Sequence, residues 1–248
     1  MMAATKHGHQ PARRLGWAAL AYHKQEGATP GPRKHSLQND WKPDEQFGVR
    51  VGTWNRGSMS GRGTEVCEEM KKRRMDVCCL QEVRWRGQGA RFLGVKGRRY
   101  KLWWSGNGDG TGGVRVLVEE LCEKVAEVPR RSDRVMTVVM VIEEEVLRIT
   151  CVYGPQSGRM AAEKEHFYDD LRSEWDLHSV GELVLGMGDF NGHVGKQSEG
   201  YEDMHGGNGI GERNVEGKML LEFCDEKELC VANTWFGKEE SQIHCRGK

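Results

Sequence analysis

No apolar run in this chain approaches the roughly 20 residues that a helix needs to cross a bilayer, so a membrane-spanning segment is not expected. A secretory leader is missing too. Residues 15–22 are the apolar stretch of the first thirty. Arg13 and Arg14 precede it, but His23, Lys24 and Gln25 follow without a small-residue cleavage site. None of the eight cysteines forms a C-x-x-C pair, which argues against zinc ribbons and dithiol redox motifs. Most lie in apolar runs and are expected to be reduced, buried thiols, in keeping with a nuclear or cytoplasmic rather than a secreted protein. A charge of one sign is also lacking. The 37 Lys and Arg balance 37 Asp and Glu, so net charge says nothing for nucleic acid.

Charge distribution says more. From Arg84 to Lys101 the chain carries Arg84, Arg86, Arg91, Lys96, Arg98, Arg99 and Lys101 without an acid, and residues 71–74 and 130–134 add two more basic clusters. A local basic face can hold phosphates on a neutral protein. The competing reading is a solvated surface loop.

Residues 1–46 show no periodicity and include Ala28-Thr29-Pro30-Gly31-Pro32, which cannot continue a helix or sit in a central strand. They are read as a disordered leader, with one domain over 47–248. Beyond it, short β-rich runs at 49–54, 77–83, 100–104, 113–118, 135–142, 146–153, 183–190 and 229–233 predict strands. Helical spacing marks 63–75, 160–175 and 215–226, with Phe167, Leu171 and Trp175 four residues apart. There is no internal repeat, and Gly207-x-Gly209-x-Gly211 follows a polar loop rather than a strand, so it reads as a turn. Strands and hairpins with a few inserted helices predict an α/β (α+β) domain of two packed sheets with helices outside.

Four of these strands end alike, in an apolar run followed by polar residues suited to a metal or a phosphate. They close on Thr53-Trp54-Asn55, on Leu80-Gln81-Glu82, on Val152-Tyr153-Gly154-Pro155-Gln156 and on Gly188-Asp189-Phe190-Asn191-Gly192. If the ends share one edge, Asn55, Glu82, Tyr153, Asp189 and Asn191 converge. These residue types suit phosphodiester hydrolysis. Glu82 offers the hard oxygen that Mg²⁺ takes. Asp189 can orient or deprotonate water, while Asn191, Asn55 and the Tyr153 hydroxyl can hydrogen-bond the phosphate as charge builds. Each alone also has a bland reading: Asp-x-Asn-Gly favours turns, and Tyr153 suits a core rim.

Taken together, the same four motifs resemble the endonuclease/exonuclease/phosphatase superfamily in order and spacing. Residues 78–85, 132–136, 220–224 and 232–236 are similar to the endonuclease domain of RTE-type non-LTR retrotransposons. The resemblance covers 47–236 and implies a four-layer αββα sandwich of two mixed sheets. It also implies Mg²⁺ as cofactor with Mn²⁺ as substitute, and DNA as substrate or ligand; no membrane is expected, and no obligate protein partner is inferred. Glu82 matches its metal-binding glutamate, Asn55 the supporting asparagine, Tyr153 the phosphate-contacting tyrosine, and Asp189 with Asn191 the pair serving water and transition state. Arg84 and Arg134, from the basic clusters, are candidate nucleic-acid contacts. So is Gln156, which stands where apurinic-type relatives often carry asparagine.

The resemblance further implies a later strand with a terminal Asp-His pair. His244 has no preceding Asp and comes too early to match it, so carboxy-terminal strands are expected to be missing and catalysis impaired. The alternative is a non-catalytic nucleic-acid-binding or non-functional fragment of the same fold. A phosphoinositide or sphingolipid substrate ranks below both.

Overall fold

The structure is a computed structural model that describes residues 18–22 (as a strand path), 48–55, 63–95 and 97–237. In chain order its elements are β1 (Ala18–Tyr22), β2 (Val51–Asn55), α1 (Gly63–Arg73), β3 (Val77–Gln81), β4 (Gln88–Val95), β5 (Arg98–Ser105) and β6 (Val114–Val118). There follow β7 (Val125–Glu127), β8 (Val135–Ile142), β9 (Glu145–Tyr153), α2 (Ala161–Trp175), β10 (Leu183–Asp189), α3 (Val215–Glu226) and β11 (Cys230–Val231).

Among the described residues the strands form two mixed sheets, ordered β11-β1-β10-β9-β8-β7 and β2-β3-β6-β5-β4. Both faces of each sheet are covered, which explains runs with no polar alternation. On β3, Val77 and Cys79 face the other sheet, packing with Val116, Met136, Ile149 and Met187. Their neighbours Cys78 and Leu80 face α1, packing with Val66, Met70 and Leu117. On the far side, Phe167, Leu171 and Trp175 of α2 and Leu220, Leu221 and Phe223 of α3 cover Val135, Val152 and Val184. Period-2 strands and period-3.6 helices thus build helix, sheet, sheet and helix. This is the four-layer αββα sandwich expected.

Three expectations are corrected. Part of the supposed leader is a strand: Ala18–Tyr22 pairs antiparallel with both β10 and β11. Its short apolar sequence gains there a ladder on each side, which an isolated five-residue strand lacks. The other described residues begin at 48, so 28–32 lie outside them. The basic stretch from 84 to 101 is no solvated loop either, since Gln88–Val95 pairs with Arg98–Ser105 as an edge hairpin. Glycines at 89 and 94 and mixed polarity concealed β4. The expected last strand at 229–233 shrinks to Cys230–Val231 before a 3₁₀ turn over Ala232–Thr234. The region of His244 lies outside the described residues.

Among the described residues seven cysteines are free thiols, six of them buried, and no helix is long and apolar enough to cross a membrane.

Candidate active site

The site is assembled from two parallel strand pairs. β2 lies parallel to β3, so Asn55 and Gln81 end side by side. β10 lies parallel to β9, so Asp189 is registered with Tyr153. Parallel neighbours bring their carboxyl ends to one edge. The two edges meet across the sandwich, where Asn55 Nδ2 donates to Asp189 Oδ2 at 2.7 Å. One bond therefore joins residues that are 134 positions apart.

Asp189 is 5% exposed. Its other oxygen accepts the Asn191 backbone N–H at 3.0 Å. Burial pushes its pKa above the ordinary carboxylate value, against the Asn55 and Asn191 hydrogen bonds, and the nearby Glu82 charge adds to the rise. A buried carboxyl made more basic is suited to taking a proton. Asn191 adopts a left-handed φ of 52°, and its Nδ2 donates to the Gly154 carbonyl at 2.7 Å. Gly154 N–H in turn donates to the Asp189 carbonyl at 2.7 Å, so the ends of β9 and β10 are stitched together. Gly188 permits that approach, because a methyl there would lie 1.9 Å from the Val152 oxygen.

Behind this turn, Asn214 caps α3. Its Oδ1 accepts from Gly217 N at 2.8 Å and from His193 N at 2.9 Å. The helix start thus holds the loop that follows Asp189.

Tyr153 stays protonated to higher pH than a free phenol, first because of burial and then because of Glu82 and Asp189. Its hydroxyl is protonated at neutral pH, and the exposed Gln156 side chain lies close enough to favour the ionised form slightly. Glu82 follows β3 in the left-handed region, at φ 59°, and its side chain is 23% exposed. Under it, the buried Gln81 donates from Nε2 to Thr53 Oγ1 at 3.0 Å, tying β3 to β2. Glu82, Tyr153, Asp189, Asn191 and Asn55 are thereby brought together at one edge of the sandwich, with Glu82 close enough to raise the pKa of Asp189 and of Tyr153.

The three candidate nucleic-acid contacts fare differently. Gln156 stands at the rim beside the Tyr153 hydroxyl. Arg84 lies at the mouth, Nη2 3.1 Å from Glu82 Oε1. Arg134 is engaged inside: it donates to the carbonyls of Tyr153 at 3.2 Å and Gly154 at 3.4 Å and pairs with Glu163 at 3.0 Å. It acts as a clamp on the strand end. The rest of the basic run divides. Arg91 lies over the Trp85 ring, whereas Arg98 and Arg99 pair with Glu119 and Glu123 at the far end of the hairpin.

Three further residues join the site. Asp133 is half-buried, and a methyl on Gly112 would stand 3.7 Å from both its carboxylate and the Tyr153 ring. Burial raises its pKa. His193 is exposed and close enough to favour the ionised form of Asp189. Arg115 is fully buried, donates to the Val83 carbonyl at 3.3 Å and lies over Trp85 at 3.1 Å. Burial lowers its pKa to about 9. An arginine inside Val114-Arg115-Val116-Leu117-Val118 was a visible anomaly, and Asp133 stood in the singled-out block 132–136 without an assigned role, whereas His193 had no local signal.

Among the described residues no cluster of three or more His, Cys, Asp and Glu could hold a metal. Mg²⁺ needs only one or two carboxylates and otherwise takes water and phosphate. Glu82, a partly exposed carboxylate already beside a cation, with the Asn55 amide at the neighbouring strand end, fits that pattern.

In its four strand-end motifs the chain resembles the endonuclease/exonuclease/phosphatase superfamily. No protein-family model matches it. Among solved structures it is similar to the endonuclease domain of TRAS1, a telomere-specific non-LTR retrotransposon, at 17% identity over 72% of each chain with a TM-score of 0.48. It is also similar to a 3′ phosphatase from Neisseria bound to a product DNA hairpin, at 17% identity over 72% of this chain and 71% of that one, TM-score 0.46.

Among curated proteins it is similar to craniofacial development protein 2. Identity to the Bos taurus protein is 25% over 197 residues, covering 78% of this chain and 32% of that one. For Tragulus javanicus the identity is 24%, covering 78% and 33%. The chain spans about a third of the length of the curated relatives it matches.

Proposed function

We propose that this chain is a Mg²⁺-dependent phosphodiesterase domain of retroelement endonuclease type, acting on DNA. The observation that carries the reading is the Asn55–Asp189 bond, which joins the strand ends of the two sheets beside Glu82 and Tyr153. Glu82 and Asn55 would hold Mg²⁺ (or Mn²⁺), which when bound supplies Lewis-acid polarisation of a phosphoryl oxygen. Asp189 orients the attacking water and accepts its proton, favoured by a raised pKa. Asn55 holds that carboxylate in place. Asn191, whose amide is steadied by the Gly154 carbonyl, and the protonated Tyr153 hydroxyl face the phosphate as charge develops. Arg84 and Gln156 at the rim meet the neighbouring backbone phosphates. DNA as the substrate is supported by this arginine at the cleft mouth and by the motif resemblance. The reduced thiols favour a nuclear or cytoplasmic setting.

The test is nicking of supercoiled plasmid in Mg²⁺ by the wild type, Glu82→Ala and Asp189→Ala. Nicking by the wild type that both substitutions remove is expected. Equal nicking by all three refutes the chemistry. Salt-sensitive DNA retention without any cleavage would instead mark a non-catalytic binder.

A further inference from the structure

The turn that aims Glu82 into the cleft also delivers a cation to it. Glu82 and Arg84 both take left-handed φ values, 59° and 53°, which bring two side chains two residues apart to the same side. The backbone between them is pinned. Arg84 N–H donates to Gly112 O at 2.7 Å, Val83 N–H donates to Gly113 O at 3.4 Å, and Arg115 holds the Val83 carbonyl at 3.3 Å. The Arg84 side chain is not pinned. It is 52% exposed, and among the described residues its one hydrogen bond is to Glu82 Oε1, at 3.1 Å. Arg134 and Arg115, the other arginines near the cleft, are committed to backbone carbonyls.

We propose that Glu82 exchanges cations: a divalent ion displaces the Arg84 guanidinium, and the released Arg84 turns onto a backbone phosphate of the nucleic acid. This rests on the reading of Glu82 as metal ligand and DNA as substrate, and adds a coupling between them. Mg²⁺ needs oxygen ligands at about 2.0–2.1 Å, so a carboxylate oxygen cannot keep a guanidinium in the same place. The exchange is easy because a half-exposed ion pair is weak. A planar guanidinium released beside a phosphate finds a better-matched, bidentate partner. Cation and DNA binding then reinforce each other, and by linkage equally in both directions.

The test measures Mn²⁺ binding by electron paramagnetic resonance, with and without a short phosphorothioate duplex, for the wild type, Arg84→Ala, Arg84→Lys and Glu82→Gln. DNA affinity is measured in Mn²⁺ and in EDTA. For Arg84→Ala, Mn²⁺ binding without DNA is expected to tighten roughly two- to fivefold, since a competing cation is gone. The tightening of Mn²⁺ by DNA is expected to disappear, and DNA affinity to fall in Mn²⁺ but not in EDTA. Arg84→Lys keeps the charge without the fork and falls between. Mn²⁺ binding that depends on Glu82 but does not respond to Arg84→Ala overturns the exchange alone. Equal loss of DNA affinity with and without metal does the same. Mn²⁺ binding unchanged in Glu82→Gln, or absent from the wild type, overturns the metal reading and the exchange with it.

Discussion

Asp189→Asn separates chemistry from stability at this site. The substitution keeps the shape of a side chain that is 5% exposed and removes its charge. Two hydrogen bonds are at stake, from Asn55 Nδ2 at 2.7 Å and from Asn191 N at 3.0 Å. Both can survive: the introduced amide oxygen accepts from Asn191 N–H, and Asn55 turns its own amide to accept from the introduced amide nitrogen. Each bond changes from charge-assisted, about 1.5–3 kcal/mol, to neutral, about 0.5–1.5 kcal/mol, a combined loss of roughly 2–3 kcal/mol. Against it stands the cost of holding a carboxylate out of water, several kcal/mol.

The direction of the pKa decides which effect wins. It is raised above 3.8, so the surroundings favour the neutral form, and burial outweighs both bonds. The variant is therefore expected to be as stable as wild type at neutral pH or more so, with Tm rising about 2–4 °C for each kcal/mol gained. Since the folded chain holds this proton more tightly than the unfolded one, wild type loses stability as pH rises from about 3.8 through the raised value. Asp189→Asn lacks that loss, so the gap between them opens over the same window and is constant above it. The rate of Mg²⁺-dependent nicking is expected to fall about 10²–10⁴-fold, the usual scale for a general base. Calorimetry across pH and a plasmid assay check both. A Tm drop of more than about 4 °C at neutral pH refutes the energetic balance, and nicking within about threefold of wild type refutes the catalytic role.

Other outcomes follow from the same structure. A Gly217→Ala methyl would stand 1.8 Å from the His193 carbonyl oxygen, so it forces α3 off the Asp189 loop; a loss of about 1–3 kcal/mol is expected in denaturant titration, together with reduced nicking. His205 is buried and neutral, with Nε2–H donating to Gly195 O at 2.9 Å and Nδ1 accepting from Gly207 N at 3.1 Å. Its pKa is lowered by burial, so stability is full above the ordinary histidine value of 6.5 and declines as pH falls below it; His205→Gln, which cannot be protonated, should flatten that decline in urea melts. Arg115→Met removes a buried charge with its Nε unpartnered, so stability is expected to change by less than about 2 kcal/mol while the Glu82 turn loosens and the Mn²⁺ affinity falls. An unchanged affinity would show that Arg115 does not hold the turn.

Much of the fold was legible because burial leaves a local trace. The Val135–Ile142 and Glu145–Tyr153 hairpin is β-branched on both arms around Glu143-Glu144, and α2 carries Phe167, Leu171 and Trp175 at helical spacing. β1 and β4 were illegible for the opposite reason. Ala18–Tyr22 and Gln88–Val95 are strands because neighbouring strands supply their hydrogen bonds, for β1 from distant parts of the chain. For the site, the recurrence of a polar residue after an apolar strand marked Asn55, Glu82, Tyr153 and Asp189 as candidates. Arg134 was read from the same kind of basic cluster as Arg84, yet one clamps carbonyls and the other borders the cleft.

By itself the sequence determined which segments bury and at what period, and which oxygen-bearing side chains stand at strand ends, since each depends on residues near one another in the chain. Tertiary structure alone decided that Asn55 and Asp189 touch, that Glu82 raises the pKa of both Asp189 and Tyr153, and that Asp133 and His193 border them. Parallel pairing of β2 with β3 and of β9 with β10, and the packing of one sheet on the other, set these contacts. Proton affinity depends on burial and on charges a few ångströms away, and both arise only when distant segments meet.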